Sequence, residues 1–161
     1  MSPRPICCVV MPFRTKDTNA PPPAPASVNL DALWQKALRP VLEELGYQPV
    51  RADQDLGALI VKEMIERLYF SDLVLADMTL PNGNVYYEVG IRHAARQDGR
   101  VLVSADLSKT LFDVDQMRQV RYPLPEGDIG DATAAAIRPA LKDAIPALAS
   151  GDSPMFQTLA G

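Results

Sequence analysis

Apolar residues along the chain fall either in short unbroken runs or in longer stripes at helical spacing, and the two alternate. Ile6 to Met11 is a continuous apolar run closed by Pro12, the pattern of a strand covered on both faces. Leu73-Val74-Leu75-Ala76, ending in Asp77, and Val101-Leu102-Val103 read the same way. Tyr47 to Val50 and Val120 to Tyr122 are shorter candidates. Between them, Leu30, Leu33, Trp34, Ala37, Leu38, Val41, Leu42 and Leu45 repeat with the period of a helix. Asn29 or Ser27 is available to cap its start, Gly46 ends it, and Pro40 is expected to kink or split it. A second helix is expected over about Leu56 to Tyr69 with Asp55 as its cap, a third from near Val85, and a C-terminal one from Asp131 to Ala149.

Strands that alternate with helices imply a parallel sheet with helices on both faces. The predicted fold is therefore α/β, a Rossmann-like or flavodoxin-like three-layer sandwich with about five parallel strands. The 161 residues suit a single domain, with no internal repeats. The segment 18–28 carries Pro21, Pro22, Pro23 and Pro25 and is expected to be an extended surface flap beside the end of the first strand. The tail 150–161 reads as loosely held. In such sheets ligands bind beyond the carboxyl ends of the strands. That directs attention to Phe13 and Arg14, Arg51 and Asp53, Asp77 to Asn84, and Ser104 to Asp106.

Composition then narrows the chemistry. Formal net charge is −4 and basic residues are scattered, which disfavours nucleic acid and an anionic membrane surface as partners. No apolar run approaches the ~20 residues of a membrane span, and no secretory signal is apparent. Cys7 and Cys8 are neighbours on a strand, face opposite ways and are poorly placed to bond, so free thiols in a reducing cytoplasm are expected. There is no GxGxxG after the first strand, no GxxxxGK[ST], no acidic pair after the first strand and no GxSxG turn. With one histidine and two strand-bound cysteines, no metal and no cofactor is expected.

What remains is an array of carboxylates and amides: Asp77 at a strand end, Asn82-Gly83-Asn84 in a turn, and Glu88 expected in the first turn of the next helix. Positive potential there favours an ionised Glu88. An ionised carboxylate can attack the anomeric carbon of a sugar, and a second carboxyl such as Asp77 can manage the leaving group's proton.

The string Ala76-Asp77-Met78-Thr79 followed by Asn82-Gly83-Asn84-Val85-Tyr86-Tyr87-Glu88-Val89-Gly90-Ile91-Arg92-His93-Ala94 resembles the signature of the nucleoside 2-deoxyribosyltransferase-like superfamily, in a bacterial subgroup. Met11-Pro12-Phe13, Arg51-Ala52-Asp53 and Phe112-Asp113-Val114 are similar to that subgroup too, so the resemblance spans about residues 6 to 122. It implies Glu88 as the nucleophile of a glycosyl-enzyme intermediate, Asp77 as assistant to the base, and Phe13 and Arg14 as pocket lining. Asp53, Asn82, Asn84 and Tyr87 are the further candidate substrate contacts, with Asn82 and Asn84 expected to orient the sugar. It further implies no metal and a homo-oligomer, a dimer or larger. Where the transferases place an aspartate this chain has Asn82, an amide that hydrogen-bonds but carries no proton, so hydrolysis and pure binding stay open beside transfer. The fold class is also similar to TIR-type domains, in which a glutamate serves NAD cleavage.

Structural alternatives stand beside these roles. Glu88 can complement the helix dipole and pair with Arg92, Asp77 can cap a turn through Thr79, and Asn84 can be the helix cap. Arg14 can be a solvated loop charge, and Asp53 can simply turn the chain. Trp34 belongs to the core and His93 to a surface or interface; of Tyr86 and Tyr87, one faces the sheet and the other the cleft or a partner. The expected activity is nucleoside deoxyribosyl transfer or nucleotide or NAD N-glycosidic cleavage. The alternative is a non-catalytic nucleotide-sensing or signalling module, TIR-like and suited to bacterial defence or toxin systems.

Overall fold

Each of the five apolar runs becomes a strand of one sheet. In the computed structural model, which describes residues 2–51, 60–107 and 117–160, the strands are β1 (Ile6–Val10), β2 (Thr15–Asp17), β3 (Ser27–Asn29), β4 (Gln48–Arg51), β5 (Leu73–Asp77), β6 (Arg100–Ala105) and β7 (Gln119–Tyr122). The main sheet has the order β4-β1-β5-β6-β7 and every pairing in it is parallel. Counting main-sheet strands along the chain gives the doubly wound order 2-1-3-4-5 of flavodoxin-like folds. Its switch point lies between β1 and β5, so the segments after those two strands frame the expected ligand crevice.

Helices α1 (Leu30–Leu33), α2 (Arg39–Glu44), α3 (Ile60–Phe70), α4 (Gly83–Ala95), α5 (Asp131–Ala149) and α6 (Pro154–Leu159) complete the fold. Two apolar clusters lie on the two faces of the sheet. Cys7, Val9, Leu73, Leu75, Val101 and Val103 pack against α1, α2 and α5, while Cys8, Val10, Val74, Ala76 and Leu102 pack against α3 and α4. Neighbouring Cys7 and Cys8 thus fall in different layers, and both are free thiols.

The helical stripe is split next to Pro40, as expected, and continues beyond it. A π-helical turn, Trp34–Leu38, joins α1 to α2, with the Arg39 N–H reaching back to the Trp34 carbonyl. Pro40 has no N–H for the Lys36 carbonyl, and Arg138 Nε on α5 donates to that oxygen instead at 2.7 Å. Asn29 caps the start, its side chain accepting from the Ala32 N–H at 3.0 Å. Gly46 follows the end at φ +90°, a left-handed turn that a side chain would resist.

One element is unexpected, and two expectations are corrected. The proline-rich flap is closed at its base by the antiparallel β2–β3 hairpin, whose short polar strands carry no apolar alternation to announce them. The tail is not loose: Ser153, fully buried, donates its hydroxyl to the His93 carbonyl at 2.8 Å and caps α6. His93 is buried rather than exposed, because this same short helix covers the end of α4. Trp34 lies in the core as expected.

Candidate functional site

The switch point is built from the segment after β1. Phe13 stands half-buried with the Arg51 guanidinium over its ring at 4.0 Å. Arg51, its side chain only 8% exposed, donates to the Pro12 carbonyl at 3.1 Å and to Asp31 Oδ1 at 2.7 Å. Asp31 also accepts the Arg14 N–H at 3.2 Å. Burial would raise the Asp31 carboxyl, but the hydrogen bonds from Arg51 and Arg14 outweigh it and hold the group below its ordinary range. Arg14 adopts φ +64°, a strained backbone for a side-chain-bearing residue, fixed by Asp31 and by its carbonyl accepting from the Leu30 N–H at 3.0 Å. Its side chain is exposed. The loop at the mouth of the crevice is thus held rigid by an Arg51–Asp31 bridge. Asp31 reads in the sequence as an ordinary first-turn acid, so only the fold reveals its partner.

Asp77 is not open to solvent. It is fully buried; Tyr122 donates its hydroxyl to Oδ2 at 2.6 Å and the Thr79 N–H donates to Oδ1 at 3.0 Å. Thr79 Oγ1 accepts from the Ala105 N–H at 2.9 Å and lies 2.9 Å from the Tyr122 hydroxyl, which makes a closed network across β5, β6 and β7. Burial raises the Asp77 carboxyl despite these bonds, and burial together with the Asp77 charge raises the Tyr122 hydroxyl well above its ordinary value. The alternation of β5 explains the position. Leu73 and Leu75 face α1 and α5, and Asp77, two residues on, points the same way. Glu88 belongs to α4 on the opposite face, so the sheet separates the two carboxyls.

Asn82, not Asn84, caps α4. Its Oδ1 accepts from the Asn84 N–H at 3.0 Å and the Val85 N–H at 3.1 Å, which starts the helix at Gly83 and leaves Asn84 exposed. The earlier start moves Glu88 into the second turn, where the helix dipole is weak. The expectation of a carboxylate kept ionised by the helix terminus is therefore reversed. Glu88 is half-buried, its neighbours include the thiol of Cys8 on β1, and desolvation pushes its pKa up to about 7. It has no hydrogen bond or ion pair among the described residues. Arg92 does not pair with it. That side chain is fully buried and donates to the carbonyls of Leu68 at 2.7 Å, Ser71 at 2.9 Å and Gly99 at 2.8 Å, tying the end of α3 to the start of β6.

Tyr86 packs against the core and Tyr87 is 59% exposed on the outer face of α4. Asp53 and Phe112-Asp113-Val114 lie outside the described residues. A cavity of about 200 Å³ opens between the flap (Thr18, Asn19, Pro21) and Thr79, Pro81 and Leu107 at the carboxyl edge of the sheet; neither Glu88 nor Asp77 lines it. The structure thus sets Phe13 under Arg51 beside β1 and leaves the Arg14 side chain exposed, with Asp77 apart on one face of the sheet and Glu88 on the other. Among the described residues no group of three or more His, Cys, Asp or Glu is placed to hold a metal ion, and no helix is long and apolar enough to cross a membrane. No protein-family model matches the chain, and no curated protein matches it either.

Proposed function

We propose that the chain acts on the N-glycosidic bond of a nucleoside, a nucleotide or an NAD-like metabolite, with Glu88 as nucleophile or as the anion that stabilises an oxocarbenium ion. The observation that carries this reading is the state of Glu88: a half-buried carboxyl, unpaired among the described residues and poised at about 7, on the helix that follows β5. A purely structural glutamate would ordinarily have a cation or N–H groups to neutralise it, and an unpaired desolvated carboxyl costs stability. Near neutral pH both its forms are populated, so one group can attack as carboxylate and carry a proton at another step. Phe13 and Arg14, on their braced loop, offer an aromatic face and a cation to a base and a phosphate. Asp77 acts at one remove: its network with Tyr122 and Thr79 fixes the strand ends from which the 78–82 loop departs.

The resemblance of the Asp77–Ala94 string to nucleoside 2-deoxyribosyltransferase-like proteins supports the same reading, and with it a cytoplasmic homo-oligomer. The sealed position of Asp77 and the capping role of Asn82 favour a second reading, a module that binds a nucleotide without consuming it. Incubation with a panel of nucleosides, nucleotides and NAD, followed by chromatography for free base, separates the two. Release that is lost in Glu88→Ala supports cleavage. Thermal stabilisation by one nucleotide with no release supports sensing.

A further inference from the structure

A second cavity lies at the opposite, amino edge of the sheet, and nothing in the reading of Glu88 uses it. It encloses about 480 Å³, within the range of small-molecule sites, and sits where α4, β6, the start of β7 and α6 meet. Leu102, Met117 and Leu148 give it an apolar wall. Among the described residues its charged groups are Arg100, Arg118 and Asp152, so the described lining carries a net positive charge in a chain whose own net charge is −4. Arg100 is anchored on the carbonyls of Gly151 and Asp152, and the Asp152 carboxylate accepts from Gln97 Nε2 at 3.0 Å. Arg118, exposed at the rim, pairs with no carboxylate among the described residues. His93 also lines the cavity, only 7% exposed, and its Nε2 is buried with no hydrogen-bond partner. Burial and the charge of Arg100 lower this imidazole to about 4, so at neutral pH it is an uncharged ring with an unanswered polar atom. Leaving such an atom unsatisfied is unfavourable, and an occupant of the cavity would relieve it directly or through a water.

We propose that this cavity binds a small organic anion, an apolar body bearing one carboxylate or phosphate, with Arg118 holding the charge and the His93 ring meeting the occupant inside. The field favours an anion over a cation. The wall of Leu102, Met117 and Leu148 favours an anion with hydrocarbon over a bare inorganic one. The site is separate from the Glu88 side, and its failure would leave the glycosidic reading untouched.

The chain has a single histidine, so the ring signals of untagged, ¹⁵N-labelled protein report on this cavity alone. Benzoate and phenyl phosphate serve as anionic probes and benzyl alcohol as the uncharged control. The expected result is a saturable shift of the His93 signals with at least one anion, binding at least ten-fold tighter than benzyl alcohol and weakened about ten-fold in Arg118→Gln. That factor is what the loss of one charge-assisted hydrogen bond brings. Because Arg118 is exposed, the variant is expected to fold normally, which an unchanged melting temperature verifies. No shift with either anion, equal binding of the alcohol, or indifference to Arg118→Gln would each overturn the proposal.

Discussion

Replacing Glu88 with glutamine should make the protein more stable, and increasingly so as pH rises. Burial lifts the carboxyl from 4.5 to about 7 in the folded chain, so the unfolded chain loses the proton first. The sign follows: the penalty for ionised Glu88 is absent below pH 4.5, grows through the window from 4.5 to about 7, and is complete above it. At about 1.4 kcal/mol for each unit of pKa the full gap sets a ceiling of roughly 3 kcal/mol, and the group's residual contact with water lowers this to about 2 kcal/mol. In a domain of this size such a gain corresponds to a rise of about 4–8 °C in melting temperature. Urea unfolding of wild type and Glu88→Gln at pH 4.5 and pH 8.5 measures the difference, since every other titrating group cancels between the two proteins. Equal stability at pH 4.5 and a gain of about 2 kcal/mol at pH 8.5 is expected. A difference that does not change with pH, or a variant less stable at pH 8.5, would refute the argument that an unpaired, desolvated charge resides here.

Other substitutions test the supports. Arg92→Leu strips the partner from the Leu68, Ser71 and Gly99 carbonyls at once and should cost at least about 3 kcal/mol in urea unfolding. Tyr122→Phe removes the hydroxyl from Asp77 and Thr79 and should cost about 1–3 kcal/mol, with a double-mutant cycle against Thr79→Val giving clearly non-additive losses. Asn82→Ala removes two cap bonds from α4 and should cost about 1 kcal/mol, read as earlier hydrogen exchange in the 83–87 turn.

The layered fold could be read from the sequence because it rests on local periodicity. Unbroken runs such as Leu73–Asp77 have to be covered on both sides, and the stripe from Leu30 to Leu45 has to lie on a core. The C-terminal helix Asp131–Ala149 has the bounds its pattern implies. Local pattern misled where the deciding partner was remote. Asp77 reads as a strand-end acid at the ligand edge until β7 brings Tyr122 against it, although counting by twos from Leu73 already assigns its face. His93 and the tail each look exposed alone, and Ser153 joins them. The Glu88–Arg92 spacing suits a helical ion pair, but carbonyls at the ends of α3 and β6 claim the guanidinium first. The Asn82 cap differs from the expected one by a two-residue shift, small for secondary structure and large for Glu88, which it removes from the strong end of the helix dipole.

The most direct test of the glycosidic reading is the pH profile of base release from the best substrate in the panel. With Glu88 acting as its ionised form, the rate climbs through a limb centred near 7, the value burial gives that carboxyl, and Glu88→Gln removes the release at every pH. Release that is flat between pH 5 and 9, or that persists in Glu88→Gln, would contradict the account.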